Sequence, residues 1–276
     1  MWAMVLLLGA LAACSSDEPM TATPSELIVV EMPEWVAHFE RADATGTFAL
    51  HRLGTDEVLV HDADRAVDAV LPASTFKILN SLIALETGVL ATVDELVPWD
   101  GVVRPIDAWN VDHSLRTGIE VSAVWAYQEI ARQVGETRMA EQVNAAGFGN
   151  ADIAGGIDRF WLDGALRISP VEQLDFLAAL MNGDLPFAPE HQAAVRDILV
   201  RESGDGWTWG HKTGTALATQ PVLGWLVGFV EHEGDTWVFA MNLDRGDVEV
   251  DSQIDPQLRR ALTRTILEDA GALPAG

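Results

Sequence analysis

Three short motifs carry side chains suited to nucleophilic chemistry. Ser74-Thr75-Phe76-Lys77 sets a hydroxyl and an amine three residues apart, a spacing that puts both on one face of a helix. A serine is a weak nucleophile until a base takes its proton, and a desolvated lysine can lose its charge and serve as that base. Ser122-Ala123-Val124 places a second hydroxyl at the predicted start of a helix, where the plain reading is an N-cap. Lys212-Thr213-Gly214 falls on a predicted strand. Its glycine lets another backbone approach, and its lysine and hydroxyl suit a carboxylate. Chance explains this poorly. With ten serines and two lysines in 276 residues, an accidental Ser-x-x-Lys is expected roughly 0.07 times, and a Lys-Thr-Gly about 0.01 times. Lys77 and Lys212 are the only lysines of the chain. Solvated surface lysines would scatter.

These motifs need a scaffold, and the pattern of apolar residues supplies one. Residues 47–51 and 58–60 flank Gly54-Thr55-Asp56 and predict a β-hairpin. Residues 74–87 are apolar on nearly all sides, predicting a buried helix stopped by Gly88. Helices follow at residues 122–134 and 137–146. Another begins at Ser169-Pro170-Val171-Glu172, with Ser169 as N-cap and Glu172 completing a capping box. Its apolar face is Leu174, Leu177, Leu180 and Met181. Strands are expected at 207–211, 224–230 and 237–242, and Asp255-Pro256 opens a last helix to about Asp269. Hairpin, helical block, three strands and helix predict an α/β chain of the α+β type. Its central antiparallel sheet carries the N- and C-terminal helices and an inserted helical subdomain at about residues 90–203.

Composition limits the partners. The formal charge is −25, which argues against nucleic acid and anionic membrane surfaces, and no protein partner is implied. Many Asp and Glu with almost no Lys fit adaptation to high salt or a GC-rich genome. No metal is expected: the seven histidines form no His-Glu-x-x-His pair. Asp244, Asp247, Glu249, Asp251 and Asp255 lack the glycine of a calcium loop and read as a solvated acidic edge. Residues 1–13 are apolar, too short to span a bilayer, and read as a signal peptide. Leu11-Ala12-Ala13-Cys14 resembles a bacterial lipoprotein signal with Cys14 as the lipidated N-terminus, although no Lys or Arg precedes the apolar run. Residues 14–30 are expected as a tether and 31–276 as the catalytic domain. The expected location is the periplasm, with an outer-membrane lipid anchor if Cys14 is lipidated; the alternative is a plain signal peptide cleaved at an Ala-x-Ala site, which leaves Cys14 incidental.

From about residue 34 to 273 the chain resembles a class D, oxacillinase-type serine β-lactamase. The likeness rests on Pro72-Ala73-Ser74-Thr75-Phe76-Lys77, Trp99-Asp100-Gly101 and Ser122-Ala123-Val124 with Gln128-Glu129-Ile130-Ala131-Arg132. It continues in Gly155-Gly156-Ile157-Asp158, Phe160-Trp161-Leu162-Asp163-Gly164 through Ile168-Ser169-Pro170, Lys212-Thr213-Gly214 and Gly224-Trp225-Leu226-Val227-Gly228. Ser-Ala-Val separates it from the class A pattern, which has Ser-Asp-Asn. The family's Tyr-Gly-Asn is Phe148-Gly149-Asn150 here, so no role for a phenol carries over, and residues 215–221 match loosely.

The resemblance implies the serine β-lactamase and penicillin-binding-protein transpeptidase fold, and hydrolysis of β-lactam antibiotics, conferring resistance. Ser74 would attack the lactam carbonyl and form an acyl-enzyme. Lys77 would carry CO₂ as a carbamate (N6-carboxylysine) and act as general base, in an apolar setting of Phe76, Val124, Leu166 and Trp161. No other cofactor is implied. Trp161 would donate its indole N–H to the carbamate, and Ser122 would relay a proton to the leaving nitrogen. The backbone N–H groups of Ser74 and Thr215 would form the oxyanion hole. Lys212, Thr213 and Arg259 would hold the substrate carboxylate, with Gly214 beside them, and Phe148 would line the pocket. Arg259 is preferred to Arg260 and Arg264 on the register of Gln257-Leu258-Arg259-Arg260. The alternative is a β-lactam sensor or a penicillin-binding protein that acylates without efficient turnover.

Overall fold

The computed structural model describes residues 28–245 and 256–275. The expected signal peptide, Cys14 and the expected tether up to residue 27 lie outside the described residues, as do Asp247, Glu249, Asp251 and Asp255. The chain runs β1 (Ile28–Glu31), α1 (Val36–Arg41), β2 (Thr45–Arg52), β3 (Glu57–His61), α2 (Ala63–Ala66) and α3 (Lys77–Glu86). A helical stretch follows: α4 (Leu115–Glu120), α5 (Val124–Val134), α6 (Glu136–Ala145), α7 (Pro170–Asn182) and α8 (Pro189–Leu199). It closes with β4 (Val200–Gly204), β5 (Trp207–Ala216), β6 (Val222–His232), β7 (Asp235–Arg245) and α9 (Pro256–Asp269).

The strands form one sheet in the order β1-β3-β2-β7-β6-β5-β4. Every neighbouring pair is antiparallel except β1 with β3, which is parallel. Residues 28–30, left to the tether by the sequence reading, therefore belong to an edge strand. A short edge strand with Ile28 and Val29 exposed is held by backbone hydrogen bonds and shows no alternation to read. At the other edge β4 takes up the last residues of the 90–203 block, while α7 lies across β7 and β2.

Period-two alternation splits the sheet's side chains between two cores. Phe48, Leu50, Leu226, Phe239 and Met241 pack with Trp35 and Phe39 near or on α1 and with Leu262 and Ile266 of α9. Ala49, Trp225, Val227, Val238 and Ala240 face the other way and share a core with α3, α5 and α7. The site-bearing motifs lie on this second side, where helices and sheet meet.

Local rules explain the boundaries. Ser169 and Glu172 form the expected capping box: Glu172 N–H donates to Ser169 Oγ at 3.2 Å, and Ser169 N–H donates to the Glu172 carboxylate at 2.7 Å. The helix expected at residues 74–87 is instead a 3-10 turn, Ala73–Phe76, leading into α3. It ends before Gly88, whose φ of +68° suits a residue without Cβ. Ser122 is not an N-cap. Helix α5 begins two residues later, capped by Ala123, and Ser122 itself sits at φ +57° in the turn before it.

Candidate active site

Ser74 lies in the 3-10 turn, and Lys77 is the first residue of α3, so the three-residue spacing survives the change of helix type. Lys77 Nζ donates to Ser74 Oγ at 2.7 Å. Lys77 is wholly buried, and desolvation alone pulls its amine from the ordinary lysine range down to about 7. The surroundings are apolar. Phe76 stacks on Trp161 at 5.2 Å and meets Phe160 edge-on at 4.9 Å. Leu166 is fully buried in the same core, and Val124 is half-buried at the start of α5. Trp161 has no exposed surface, and its indole Nε1 has no hydrogen-bond partner among the described residues.

Tyr127 completes this setting and was missing from the sequence reading. Its ring lies 5.5 Å from Lys77 Nζ, and its hydroxyl is 2.9 Å from Ser81 Oγ. It is the only tyrosine of the chain and sits one helical turn after Val124, on the same face. That spacing was the available signal.

The second lysine makes a second pair. Lys212 Nζ donates to Ser122 Oγ at 2.7 Å and to the Thr213 carbonyl at 2.9 Å, with Thr213 Oγ1 at 3.5 Å. Lys212 is buried, and its amine is held well below the usual lysine range by desolvation and then by the charges of Lys77, Arg201 and Arg259. Ninety residues separate Ser122 from Lys212. The turn before α5 and the middle of β5 bring them together.

Strand β5 meets the Ser74 turn at Gly214. A Cβ there would come within 3.0 Å of the Pro72 carbonyl oxygen and 3.3 Å of Thr75 N, so a side chain would push the Ser74 turn back by a few tenths of an ångström. Because β4 pairs only as far as Gly210, the stretch of β5 bearing Lys212 to Thr215 has no strand on that edge among the described residues. Thr213 and Thr215 are half-buried along it.

Arg259 is buried, and its Nη1 donates to the carbonyls of Gly214 at 2.6 Å and Trp225 at 2.7 Å. It therefore braces β5 and β6 directly behind Gly214. Arg264 is engaged elsewhere, with Glu202 and over the rings of Trp207 and Trp209. Phe148 is fully buried between Phe76 and Phe176. It packs behind the site and lines no open surface, because losing the phenol leaves nothing that must reach water or a partner. Asp244, expected in a solvated acidic edge, pairs bidentately with Arg65.

A family model, the penicillin binding protein transpeptidase domain, matches residues 37–268. Among curated proteins, the chain is 38% identical to "Beta-lactamase OXA-48" of Klebsiella pneumoniae, covering 98% of this chain and 99% of that relative. It is also 38% identical to "Probable beta-lactamase YbxI" of Bacillus subtilis, over 88% of this chain and 91% of that one. Among solved structures, FUS-1 (OXA-85), a class D β-lactamase from Fusobacterium nucleatum subsp. polymorphum, superposes with a TM-score of 0.83 at 37% identity. That match covers 88% of this chain and all of the other. These relatives do not favour a sensor or a non-hydrolytic penicillin-binding protein. With its two lysine–serine pairs set on a transpeptidase fold and relatives of this similarity spanning it, the chain belongs to the class D, oxacillinase-type serine β-lactamases.

Proposed function

We propose that Ser74 opens the β-lactam ring of penicillin-type antibiotics and carries the acyl group, and that Lys77 is the base for this step. The observation that carries the reading is the 2.7 Å contact between the fully buried Lys77 Nζ and Ser74 Oγ. An amine with its pKa near 7 is neutral in a large fraction of molecules at neutral pH and can take the Ser74 proton. The Oγ–carbonyl bond forms as the ring C–N bond breaks, and the departing nitrogen needs a proton. Ser122 Oγ, which accepts a hydrogen bond from Lys212 Nζ, would pass one on. The free edge of β5 gives the substrate a backbone to lie along, with the N–H groups of Ser74 and Thr215 as oxyanion donors. Lys212 and Thr213 meet its carboxylate, and Arg259 supports them by fixing Gly214 from behind.

The family implies a carbamate on Lys77, and two features fit one. Its formation needs a neutral amine, which burial provides. The unpartnered Trp161 Nε1 is a buried donor of the kind a carboxylate-like group satisfies. When present, the group supplies a carboxylate-type base at Nζ. The mature enzyme would reside in the periplasm, lipidated at Cys14, and protect its host from β-lactams. Mass spectrometry tests the core of this reading. A stoichiometric penicilloyl adduct should map to Ser74 and disappear during steady-state turnover of a chromogenic cephalosporin. An adduct elsewhere, or one that never hydrolyses, would overturn it.

A further inference from the structure

We infer that Gln173 is a positioning residue for the nucleophile, acting through the hydroxyl of Thr75; this rests on the assignment of Ser74 above. Gln173 sits on α7, on the apolar face that also carries Leu174, Leu177 and Leu180, and it has no exposed surface. Its Nε2 donates to Thr75 Oγ1 at 2.9 Å, and Thr75 Oγ1 donates to the Pro72 carbonyl at 2.9 Å. The direction of the chain is forced. Thr75 has one hydroxyl proton, already given to Pro72, so it can only accept from Gln173.

The carbonyl it holds is a hinge point of the site. Pro72 O also takes the Thr75 N–H at 3.2 Å and lies against Gly214 of β5. Between Pro72 and Thr75 stand Ser74 and Ala73, the latter at a φ of +48° that an alanine adopts only under constraint. The backbones bearing Gln173 and this turn are linked as well, by the two-way bridge of Val70 with Ile168 just ahead of each. The Gln173 side chain adds a cross-link between that bridge and the nucleophile turn.

The amide is also only half satisfied. Gln173 Oε1 is buried with no hydrogen-bond partner among the described residues. A buried acceptor without a donor destabilises the fold, and an apolar side chain of like shape would not carry that burden. A glutamine kept for packing would be a poor choice here, whereas one kept to hold a hydroxyl in register is expected to be expensive.

Acylation by a fluorescent penicillin, followed by stopped flow, tests this in the full chain alongside thermal unfolding. Gln173→Met should lower the acylation rate constant by about 10- to 100-fold, with little change in initial binding and an unchanged or higher Tm. Thr75→Val should cost a similar factor, and the double variant no more than the worse single one, because both act through one hydroxyl. Thr75→Ser, which keeps the hydroxyl, should acylate at close to the wild-type rate. Acylation of Gln173→Met within twofold of wild type would overturn the inference. So would a loss that follows a lowered Tm and adds to that of Thr75→Val, since Gln173 would then be only packing. Ser74→Ala is the separate control: labelling that persists in it overturns the nucleophile assignment itself, whatever Gln173→Met does.

Discussion

The site holds two lysine–serine pairs with the same 2.7 Å contact and different surroundings. Lys77 has the Tyr127 ring 5.5 Å from its Nζ, and desolvation is the sole cause of its lowered pKa. Lys212 is desolvated too, but it is also crowded by the charges of Lys77, Arg201 and Arg259 and donates to a backbone carbonyl. Identical contacts thus prepare the two amines for different work. Lys77 is neutral in a large fraction of molecules, with only the Tyr127 ring near its Nζ to favour the charge, which suits a base. Lys212 is a buried amine whose charged form is disfavoured until an anion arrives. An arriving carboxylate would raise its pKa and restore the charge, so binding and protonation are coupled there.

The largest effect should come from removing the base. Lys77→Ala should reduce kcat by about 10⁴-fold or more, since Ser74 alone is a poor nucleophile. Burst-phase acylation measures this directly, and residual acylation within tenfold of wild type would break the comparison. Lys212→Ala should lower kcat/KM for a carboxylate-bearing penicillin by about 10²-fold, consistent with the loss of a buried charge-assisted contact. For the methyl ester of the same penicillin the loss should be far smaller. For wild type, KM of the free acid should rise with pH as Lys212 loses its proton, while the ester shows no such rise. Equal losses on both substrates would mean that Lys212 acts only through Ser122.

A smaller effect separates an amine base from a carbamate. Trp161→Phe keeps the stack on Phe76 but removes the unpartnered indole N–H. Turnover should fall by about tenfold, the scale of one lost hydrogen bond to a charged group, and recover on adding bicarbonate. Acidification should strip wild-type activity, and bicarbonate should restore it. No bicarbonate response in either protein would leave the free amine as the base.

How much of this could be read in the chain follows the physics of each element. The Ser74–Lys77 pair was readable because its geometry is local, three residues along one helical face, and survives the exchange of an α-helix for a 3-10 turn. The Ser122–Lys212 contact spans ninety residues and shows in no spacing; only the rarity of lysine and the family pattern flagged its two ends. The capping box at Ser169 and the hairpin after β2 follow local rules and stand where expected. Edge strands β1 and β4 escaped because each is short and pairs on one side only. Ser122 was misread as a helix start because a positive φ in a non-glycine residue comes from tertiary packing, which a sequence does not display. Gln173 left a trace, a lone amide on an apolar helix face, that sequence patterning treats as noise. The family's Tyr-Gly-Asn pattern puts Phe148 at the pocket wall, whereas the aromatic cluster around Phe76 draws it into the core.

The last prediction moves the comparison from activity to stability. An unfolded lysine titrates near 10.4 and Lys77 in the fold near 7. Between these values the unfolded chain binds the extra proton, so stability rises with pH across that window. Below about pH 7 both states are protonated and the folded state bears the whole burden of a buried ammonium. Lys77→Met removes that burden with little change in volume. Measured without bicarbonate, its Tm should exceed wild type at pH 6 by on the order of 5 °C, and the gap should close as pH approaches 10. Lys212→Met should gain less at pH 6, because it leaves the Thr213 carbonyl and Ser122 hydroxyl without the donor they now share. A gap for Lys77→Met that does not vary with pH would show that Lys77 is not the desolvated amine described here. Equal gains for both variants would show that the two pairs differ in name only, since the contacts to Ser122 and Thr213 would then contribute nothing to folding.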